Sequence, residues 1–145
     1  MDETQKQKLV DLFASQHVAI IITQGEQWAT ATMQAFAETP QLDLIFIMGD
    51  TEKFRNLLKN PNVTVVIDAR DKGDIPTFRV NRATVYGSAS EIQRGAEWDV
   101  MQTLFINKDP FEKPFFDNAA LKMIRVKPKR ISFTGADYKN FKVEL

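Results

Sequence analysis

Lys53 and Thr51 are the residues whose types and spacing best suit the binding of an anion. They lie in the segment 46–61, which reads FIMGDTEKFRNLLKNP. Its apolar start predicts a strand, Gly-Asp-Thr predicts a break, and the rest predicts a short amphipathic helix that Asn-Pro ends. The first turn of a helix has unpaired N–H groups and a partial positive charge, so a lysine and a hydroxyl there suit a phosphate. A solvated surface lysine is the alternative.

Two further segments carry residues that could contact such a ligand. Arg82 lies on a predicted strand, where an arginine in a cleft suits bidentate phosphate binding; a cross-strand surface charge is equally compatible. Arg79 faces the opposite side of that strand. Residues 30–33, Thr-Ala-Thr-Met, alternate hydroxyls with small side chains. Small residues let a flat ring approach the backbone N–H and C=O groups, although a strand with one polar face has the same pattern.

The composition excludes several classes of chemistry. The chain has 145 residues, enough for one domain spanning residues 1–145, and 43% of them are hydrophobic. Lys+Arg and Asp+Glu number 19 each, which argues against a general nucleic-acid binder. No cysteine is present and His17 is the single histidine. Thiolate catalysis, disulfides and iron–sulfur ligation are therefore excluded, and a tetrahedral zinc site is not expected.

The ends and loops of the chain carry weaker signals. The N-terminal segment 1–16 lacks a signal-peptide core and the longest apolar run is too short to span a bilayer, so we expect a cytoplasmic protein that binds no membrane. The basic residues of segment 121–131 alternate with apolar ones, which is typical of a solvated strand face. Phe111, Phe115 and Phe116 in one loop could form an interface, cover a ligand or pack as a small core.

The elements that must position these residues are mostly strands. Hydrophobic periodicity predicts strands over residues 18–23, 28–36, 42–48, 62–69, 77–92 and 121–133, with a tight turn at 24–27 that makes the first two a hairpin. Gly87 is placed where a bulge would be useful. Helical periodicity predicts helices over residues 2–15, 51–59 and 95–106. Because short turns join most strands, we predict a mainly β protein, a six-stranded antiparallel barrel, and not a doubly wound parallel sheet.

Four segments, taken in order, resemble the pyridoxamine 5'-phosphate oxidase-like, FMN-binding split-barrel family. The resemblance spans about residues 9–133, and its best part is 46–61, which resembles the family's strand, Ser-Arg-Lys turn, helix and Asn-Pro stop. The other parts are the Gly25 hairpin leading into residues 28–33, the stretch 85–89 (VYGSA), and the closing strand 124–131 (IRVKPKRI).

The resemblance implies a Greek-key split barrel, FMN as cofactor and a homodimer that holds the flavin between its subunits. By position it implies that Thr51 and Lys53 contact the FMN phosphate. It also places Arg82 near the flavin or its phosphate. Thr30, Ala31, Thr32 and Met33 would run along the isoalloxazine ring and ribityl chain. Phe46 and Ile47 would lie on the adjoining strand.

Departures from the family pattern bear on the reaction. The family's Ser-Arg-Lys is Thr51-Glu52-Lys53 here, and the basic residue expected at Thr30 is absent. The C-terminal region that binds pyridoxal phosphate in the oxidases is not recognisable, which argues against vitamin B6 oxidation itself. We therefore expect an FMN-dependent oxidoreductase acting on an unidentified small substrate, with no nameable general acid or base. The alternatives are a non-catalytic flavin- or heme-binding module, a deazaflavin-dependent reductase, and an interaction protein that has lost its ligand.

Overall fold

Seven strands and three α-helices make up the chain in a computed structural model of residues 1–145. The strands are Val18–Gln24 (β1), Ala29–Glu38 (β2), Leu44–Met48 (β3), Asn62–Asp68 (β4), Arg82–Glu91 (β5), Lys122–Thr134 (β6) and Asn140–Glu144 (β7). The helices are Glu3–Ser15 (α1), Glu52–Lys59 (α2) and Ala96–Lys108 (α3). None of the helices is both long enough and apolar enough to cross a membrane.

The strands form one antiparallel sheet that closes on itself. Their order is β3-β2-β1-β4-β5-β6-β7, and an additional pairing of β3 with β6 closes a six-stranded barrel, leaving β7 outside. The first three strands are consecutive neighbours, and the connection through α2 returns β4 to the side of β1. This order is a Greek key. The predicted six-stranded antiparallel barrel is confirmed, and the C-terminal tail adds one edge strand to it.

Successive side chains along a strand point to opposite faces of the sheet, and this divides the buried side chains between two cores. Ala19, Ile21, Phe36 and Phe46 belong to the cluster that fills the barrel and that α1 and α2 close at its ends. Residues of opposite parity on β2 and β3, such as Ala37, Ile45 and Ile47, pack outside the barrel against α3. Such a period-two division is expected when both faces of a strand are covered.

The segment before β5 differs from the sequence prediction. A strand over 77–92 was expected, but β5 begins at Arg82, and Ile75–Thr77 forms a turn of 3-10 helix. Pro76 lies inside that turn, where it cannot donate a ladder hydrogen bond. Phe78 then adopts a left-handed conformation with φ 58°. The turn that includes Thr77 and the left-handed Phe78 together prevent the earlier start that β-branched composition alone suggests.

The structure also shows the outcome for two other predicted features, the bulge at Gly87 and the aromatic loop. The register of β5 and β6 shifts between Tyr86 and Gly87, which confirms the bulge. The aromatic loop is a 3-10 helix, Pro110–Asp117, in which Phe116 is buried against Trp98 and Phe105. Phe111 and Phe115 are exposed. One of the three phenylalanines therefore belongs to a small core, and the other two do not.

Candidate functional site

The barrel is split where β2 and β3 part. The two strands are paired only over Phe36–Glu38 of β2. Continuing the register would place Ala35 opposite Ile47, and there the side chain of Gln34 donates from Nε2 to the Ile47 carbonyl oxygen at 2.6 Å. Beyond this point the N-terminal half of β2 has a paired edge towards β1 and an open edge towards β3.

The open edge presents the backbone of Ala31 and Met33. The N–H of Phe36 donates to the carbonyl of His17, so the even-numbered residues of β2 direct their backbone groups towards β1. The odd-numbered residues therefore direct theirs into the split. Since Ala31 has only a methyl side chain, a flat ligand can approach these N–H and C=O groups closely. The side chain of Met33 is 69% exposed on the outer surface.

The N-terminus of α2 lies at the same end of the barrel as the split. Thr51 occupies the N-cap position but makes no capping hydrogen bond with its side chain. The backbone N–H groups of Glu52, Lys53 and Phe54 consequently have no acceptor within the chain. Lys53 donates from Nζ to Thr51 Oγ1 at 3.2 Å, which holds the ammonium group beside these unpaired donors. The arrangement combines a helix N-terminus with a fixed cation, as an anion requires.

One face of α2 is attached to the β1–β2 hairpin. Asn56 donates from Nδ2 to Thr23 Oγ1 at 3.3 Å, and Asn60 donates from Nδ2 to Gln24 Oε1 at 3.2 Å. Thr23 is in turn hydrogen-bonded to Thr30 across the hairpin. Lys53 is three residues before Asn56, so both lie on the same face of the helix, one turn apart. The structure therefore brings Thr30 to the side of α2 that carries Lys53.

Thr32 has the one buried side-chain oxygen that lacks a hydrogen-bond partner. Its Oγ1 is inaccessible and makes no hydrogen bond within the chain. It lies between Thr30 and Gln34 on the inner face of β2, next to the split. A buried unpaired hydroxyl costs free energy, and a ligand group that reached it through a rotation of the Thr32 side chain would recover that cost. The hydroxyls of Thr30 and Thr32, with the uncapped helix, fit an oxygen-rich ligand such as a phosphate ester.

Phe46 and Ile47 can contribute only through their backbones. Their side chains are 0% and 3% exposed, packed inside the barrel and beneath α3 respectively. The carbonyl of Ile47 already accepts from Gln34. These two residues border the split as expected, but as its buried wall.

Arg82 lies at the opposite end of the barrel. It pairs with Asp68 and Thr134, whereas Ser88, six residues along β5, is level with Asn62 near the end of α2. At the usual rise per residue that separation is roughly 20 Å. Its guanidinium donates to the Val80 carbonyl at 3.2 Å and lies 4.2 Å from the centre of the Phe78 ring. Within one chain, Arg82 is not brought to Lys53; its predicted role stays a prediction.

The charges around α2 favour an anion more than the sequence Thr-Glu-Lys suggests. Glu52 is exposed and forms no ion pair, so water screens its charge. Asp50 pairs with Arg55 at 3.3 Å. Lys122 begins β6 opposite Met48 and places its ammonium 5.5 Å from the centre of the Phe54 ring. Lys122 thus adds a second cation on the β6 side of the helix.

Sequence reasoning missed three polar residues of this site, Thr23, Gln34 and Asn56. Gln34 shares the face of Thr30 and Thr32, and Asn56 follows Lys53 at helical spacing, so weak signals were present. Their partners are 13 and 33 residues distant in sequence. No local pattern indicates such long-range hydrogen bonds.

One pocket on the outer surface of the sheet adjoins the site through Met33. Its volume is about 370 Å³, and it is bordered by His17 and by apolar side chains of β1 and β4, including Ile20 and Val66. His17 is the sole histidine, and its Nδ1 lies 3.7 Å from Asp109 Oδ2. Asp68 at the rim is hydrogen-bonded to Arg70, and this bond lowers the pKa of the Asp68 carboxyl below its ordinary value.

Known proteins resemble this chain in structure, but sequence comparison finds no match. No protein-family model matches the sequence, and no curated protein matches it. Among solved structures, a heme binding protein of Mycobacterium smegmatis matches with a TM-score of 0.85 at 16% identity, over 99% of this chain and 59% of that one. This chain thus spans less than two thirds of that relative's length.

Two other structures match over nearly their whole length. One is a protein related to general stress protein 26, of the pyridoxinephosphate oxidase family, from Clostridium acetobutylicum. It has a TM-score of 0.75 at 9% identity, covering 100% of this chain and 97% of that one. The other is an FAD-binding protein of Mesorhizobium loti, with a TM-score of 0.73 at 13% identity, covering 88% and 90%.

The barrel, its split and these likenesses define the class of protein to which the fold belongs. The chain has the split-barrel fold of the pyridoxamine 5'-phosphate oxidase-like proteins, whose members among its structural neighbours include flavin- and heme-binding proteins. The fold that the sequence resemblance implied is therefore confirmed.

Proposed function

We propose that the chain is an FMN-binding flavoprotein and serves as an oxidoreductase for a small organic substrate. The observation that carries the proposal is the uncapped N-terminus of α2, with Lys53 and Thr51 beside it, next to the open edge of β2. An FMN molecule needs a phosphate site and a flat, hydrogen-bonding surface at a fixed distance. The fold, shared with an FAD-binding protein and a pyridoxinephosphate oxidase-family protein, supports this assignment.

Each part of the site has a role in this proposal. Lys53, Thr51 and the free N–H groups of α2 bind the phosphate, with the Thr30 hydroxyl beside them, and Thr32 lies next along β2, towards the ribityl chain. The backbone of Ala31 and Met33 hydrogen-bonds the edge of the ring, with Phe46 and Ile47 as the wall behind it. When bound, the flavin supplies hydride or electron transfer, while these residues bind and orient it.

A homodimer is part of the same proposal. β1, β2, β4 and β5 leave one outer surface of the barrel uncovered by any helix, and we call it the open sheet face. Its apolar members are Val18, Ile20, Ile22, Met33, Val66 and Tyr86. An apolar sheet surface of this kind favours protein–protein contact. Arg82 lies at the far end of this face, so a second subunit packed on it is the route by which Arg82 would reach the flavin.

Titration of the purified protein with FMN, followed by absorbance and by the mass of the molecule released on denaturation, tests the proposal. We expect Lys53→Ala to weaken FMN binding about tenfold or more, since a charge-assisted hydrogen bond contributes roughly 1.5–3 kcal/mol. Lys59→Ala is the matched control, because Lys59 lies in the last turn of the same helix and is 73% exposed. A protein that neither carries nor takes up FMN would overturn the proposal.

Heme binding is the second candidate, and His17 is the observation that favours it. It borders the pocket on the outer sheet surface, in which five of the eleven lining residues are hydrophobic, Met33 among them, and imidazole is a common ligand of heme iron. The likeness to a heme binding protein adds support. Titration with hemin distinguishes the candidates: heme binding predicts a heme spectrum that His17→Ala alters, whereas FMN binding at α2 predicts that His17→Ala leaves flavin affinity unchanged.

A further inference from the structure

The buried hydroxyl of Thr23 fixes the direction of a hydrogen-bond chain that starts at α2. Thr23 is 0% exposed. Its Oγ1 has two hydrogen-bond partners, the Nδ2 of Asn56 at 3.3 Å and the Oγ1 of Thr30. A threonine hydroxyl has one hydrogen to donate and lone pairs that accept, whereas the NH₂ of asparagine can only donate. Thr23 therefore accepts from Asn56.

The same accounting decides which threonine donates to the other. If Thr30 donated to Thr23, the hydrogen of Thr23 would have no acceptor in a site closed to water, and such a group is costly. If Thr23 donates to Thr30, every polar group of Thr23 is satisfied. Thr30 then accepts with one lone pair, and its own hydrogen is free. The chain runs from Asn56 through Thr23 to Thr30.

We propose that Asn56 and Thr23 are positioning residues that keep the Thr30 hydroxyl as a hydrogen-bond donor towards the phosphate of the bound ligand. This inference rests on the proposed function, because it assigns a partner to the free hydrogen of Thr30. Thr30 is half-buried and lies on the side of α2 that carries Lys53. A phosphate held there is an acceptor only, so a hydroxyl locked as a donor complements it.

The consequence is a phosphate site in which neutral donors surround the ammonium group of Lys53. Thr30 is locked as a donor, Thr32 lies two residues along the same face with an unpaired hydroxyl, and Thr51 adds a third hydroxyl beside Lys53. Neutral donors lose less affinity with rising salt than cations do. We therefore expect the Thr30 contribution to FMN binding to persist at high ionic strength.

Asn56→Asp is the decisive variant, because it reverses the donor and acceptor roles along the hydrogen-bond chain without removing any of its hydrogen bonds. A carboxylate can only accept, so Thr23 would donate to Asp at position 56, Thr30 would donate to Thr23, and no hydrogen would remain for the phosphate. Asn60→Asp is the matched control. It adds the same charge one turn along the same helix face and contacts Gln24 in place of Thr23.

The measurement is the dissociation constant for FMN and for riboflavin, which lacks the phosphate, at low and high salt. We expect Asn56→Asp and Thr30→Val each to weaken FMN binding about tenfold or more relative to Asn60→Asp. Thr30→Ser should keep the affinity, and riboflavin binding should not change. In the Thr30→Val background, Asn56→Asp should have no effect beyond that of Asn60→Asp, because the two residues act through one hydroxyl.

Two negative results are distinguishable. If the wild-type protein binds no FMN, the proposed function is overturned. The free hydrogen of Thr30 then also has no assigned acceptor. Wild-type protein that binds FMN, together with Asn56→Asp behaving as Asn60→Asp does, overturns the positioning role alone, since the amide oxygen of Asn56 would then face Thr23.

Discussion

Lys108 holds a largely buried ammonium group that joins three elements. Its Nζ lies 2.5 Å from Glu38 Oε2 on β2, 3.0 Å from the Phe13 carbonyl in α1, and 3.9 Å from the centre of the Phe36 ring. Lys108→Met fills the same space but leaves the largely buried Glu38 carboxylate, 19% exposed, unpaired. We expect it to lower the free energy of unfolding by about 3 kcal/mol, measured by denaturant titration at neutral pH. Adding Glu38→Gln to Lys108→Met should recover part of this loss; no recovery would contradict the explanation.

The difference in stability between the wild type and Lys108→Met should depend on pH in a definite direction. Burial lowers the pKa of Lys108 below its ordinary value of 10.5, and this effect exceeds the opposing interaction with Glu38. Between the folded and unfolded pKa values, the unfolded chain binds the additional proton, so stability rises with pH in that interval. The stability of wild-type protein relative to Lys108→Met should therefore increase as the pH approaches 10.5. A difference that shrinks on the way to that pH would mean that the ion pair dominates over burial.

The individual residues of the candidate site were predictable to different degrees. Thr51 and Lys53 were proposed because a strand, a break and a helix start are local patterns, and the structure places their side chains in contact. Asn56 and Thr23 were not found, because their hydrogen bond depends on where α2 packs against the hairpin. Arg82 was grouped with Lys53 through resemblance, yet the register of β5 separates the two within one chain.

At the scale of elements, the bulge in β5 allows a specific prediction about stability. A side chain added at Gly87 would place its Cβ 2.6 Å from the Lys127 carbonyl oxygen and 2.9 Å from Val126, so strand β6 would have to move. We expect Gly87→Ala to destabilise the fold by about 1–3 kcal/mol in denaturant titration. Gly49→Ala is the control, since its Cβ would meet only Thr51 at 3.7 Å. Equal stability of the two variants would show that the strands separate freely at the bulge.

Element boundaries were predicted well where one residue type decides them. Asp2 begins α1 through a capping box with Gln5, and Asn60 follows the last turn of α2. The start of β5 was misplaced because Thr77 and Phe78 have strand-forming side chains but lie in a turn, with Phe78 left-handed. Backbone conformation imposed by the connection outweighed intrinsic propensity there.

At the scale of the molecule, alternation and short turns were enough to predict an antiparallel barrel, but not the pairing that closes it. Ile45 of β3 lies opposite Arg125 of β6, 80 residues away in sequence. Arg125 explains part of this closure, because it also donates to Asp43 at 2.6 Å and to Glu97 at 2.9 Å. Such contacts join segments distant in the chain, and no local pattern indicates them.

Dimerisation is the prediction that belongs to the whole molecule. Ile20 and Val66 face each other across β1 and β4 at the centre of the open sheet face, so a charge there would be desolvated in a dimer. We expect the wild type to sediment at twice the 16.6 kDa chain mass and Ile20→Glu to sediment as a monomer with weakened FMN binding. Val100→Glu is the control, since Val100 is 61% exposed on α3, outside that face. A monomeric wild type that binds FMN normally would place the whole site in one chain, and would leave Arg82 no route to the flavin.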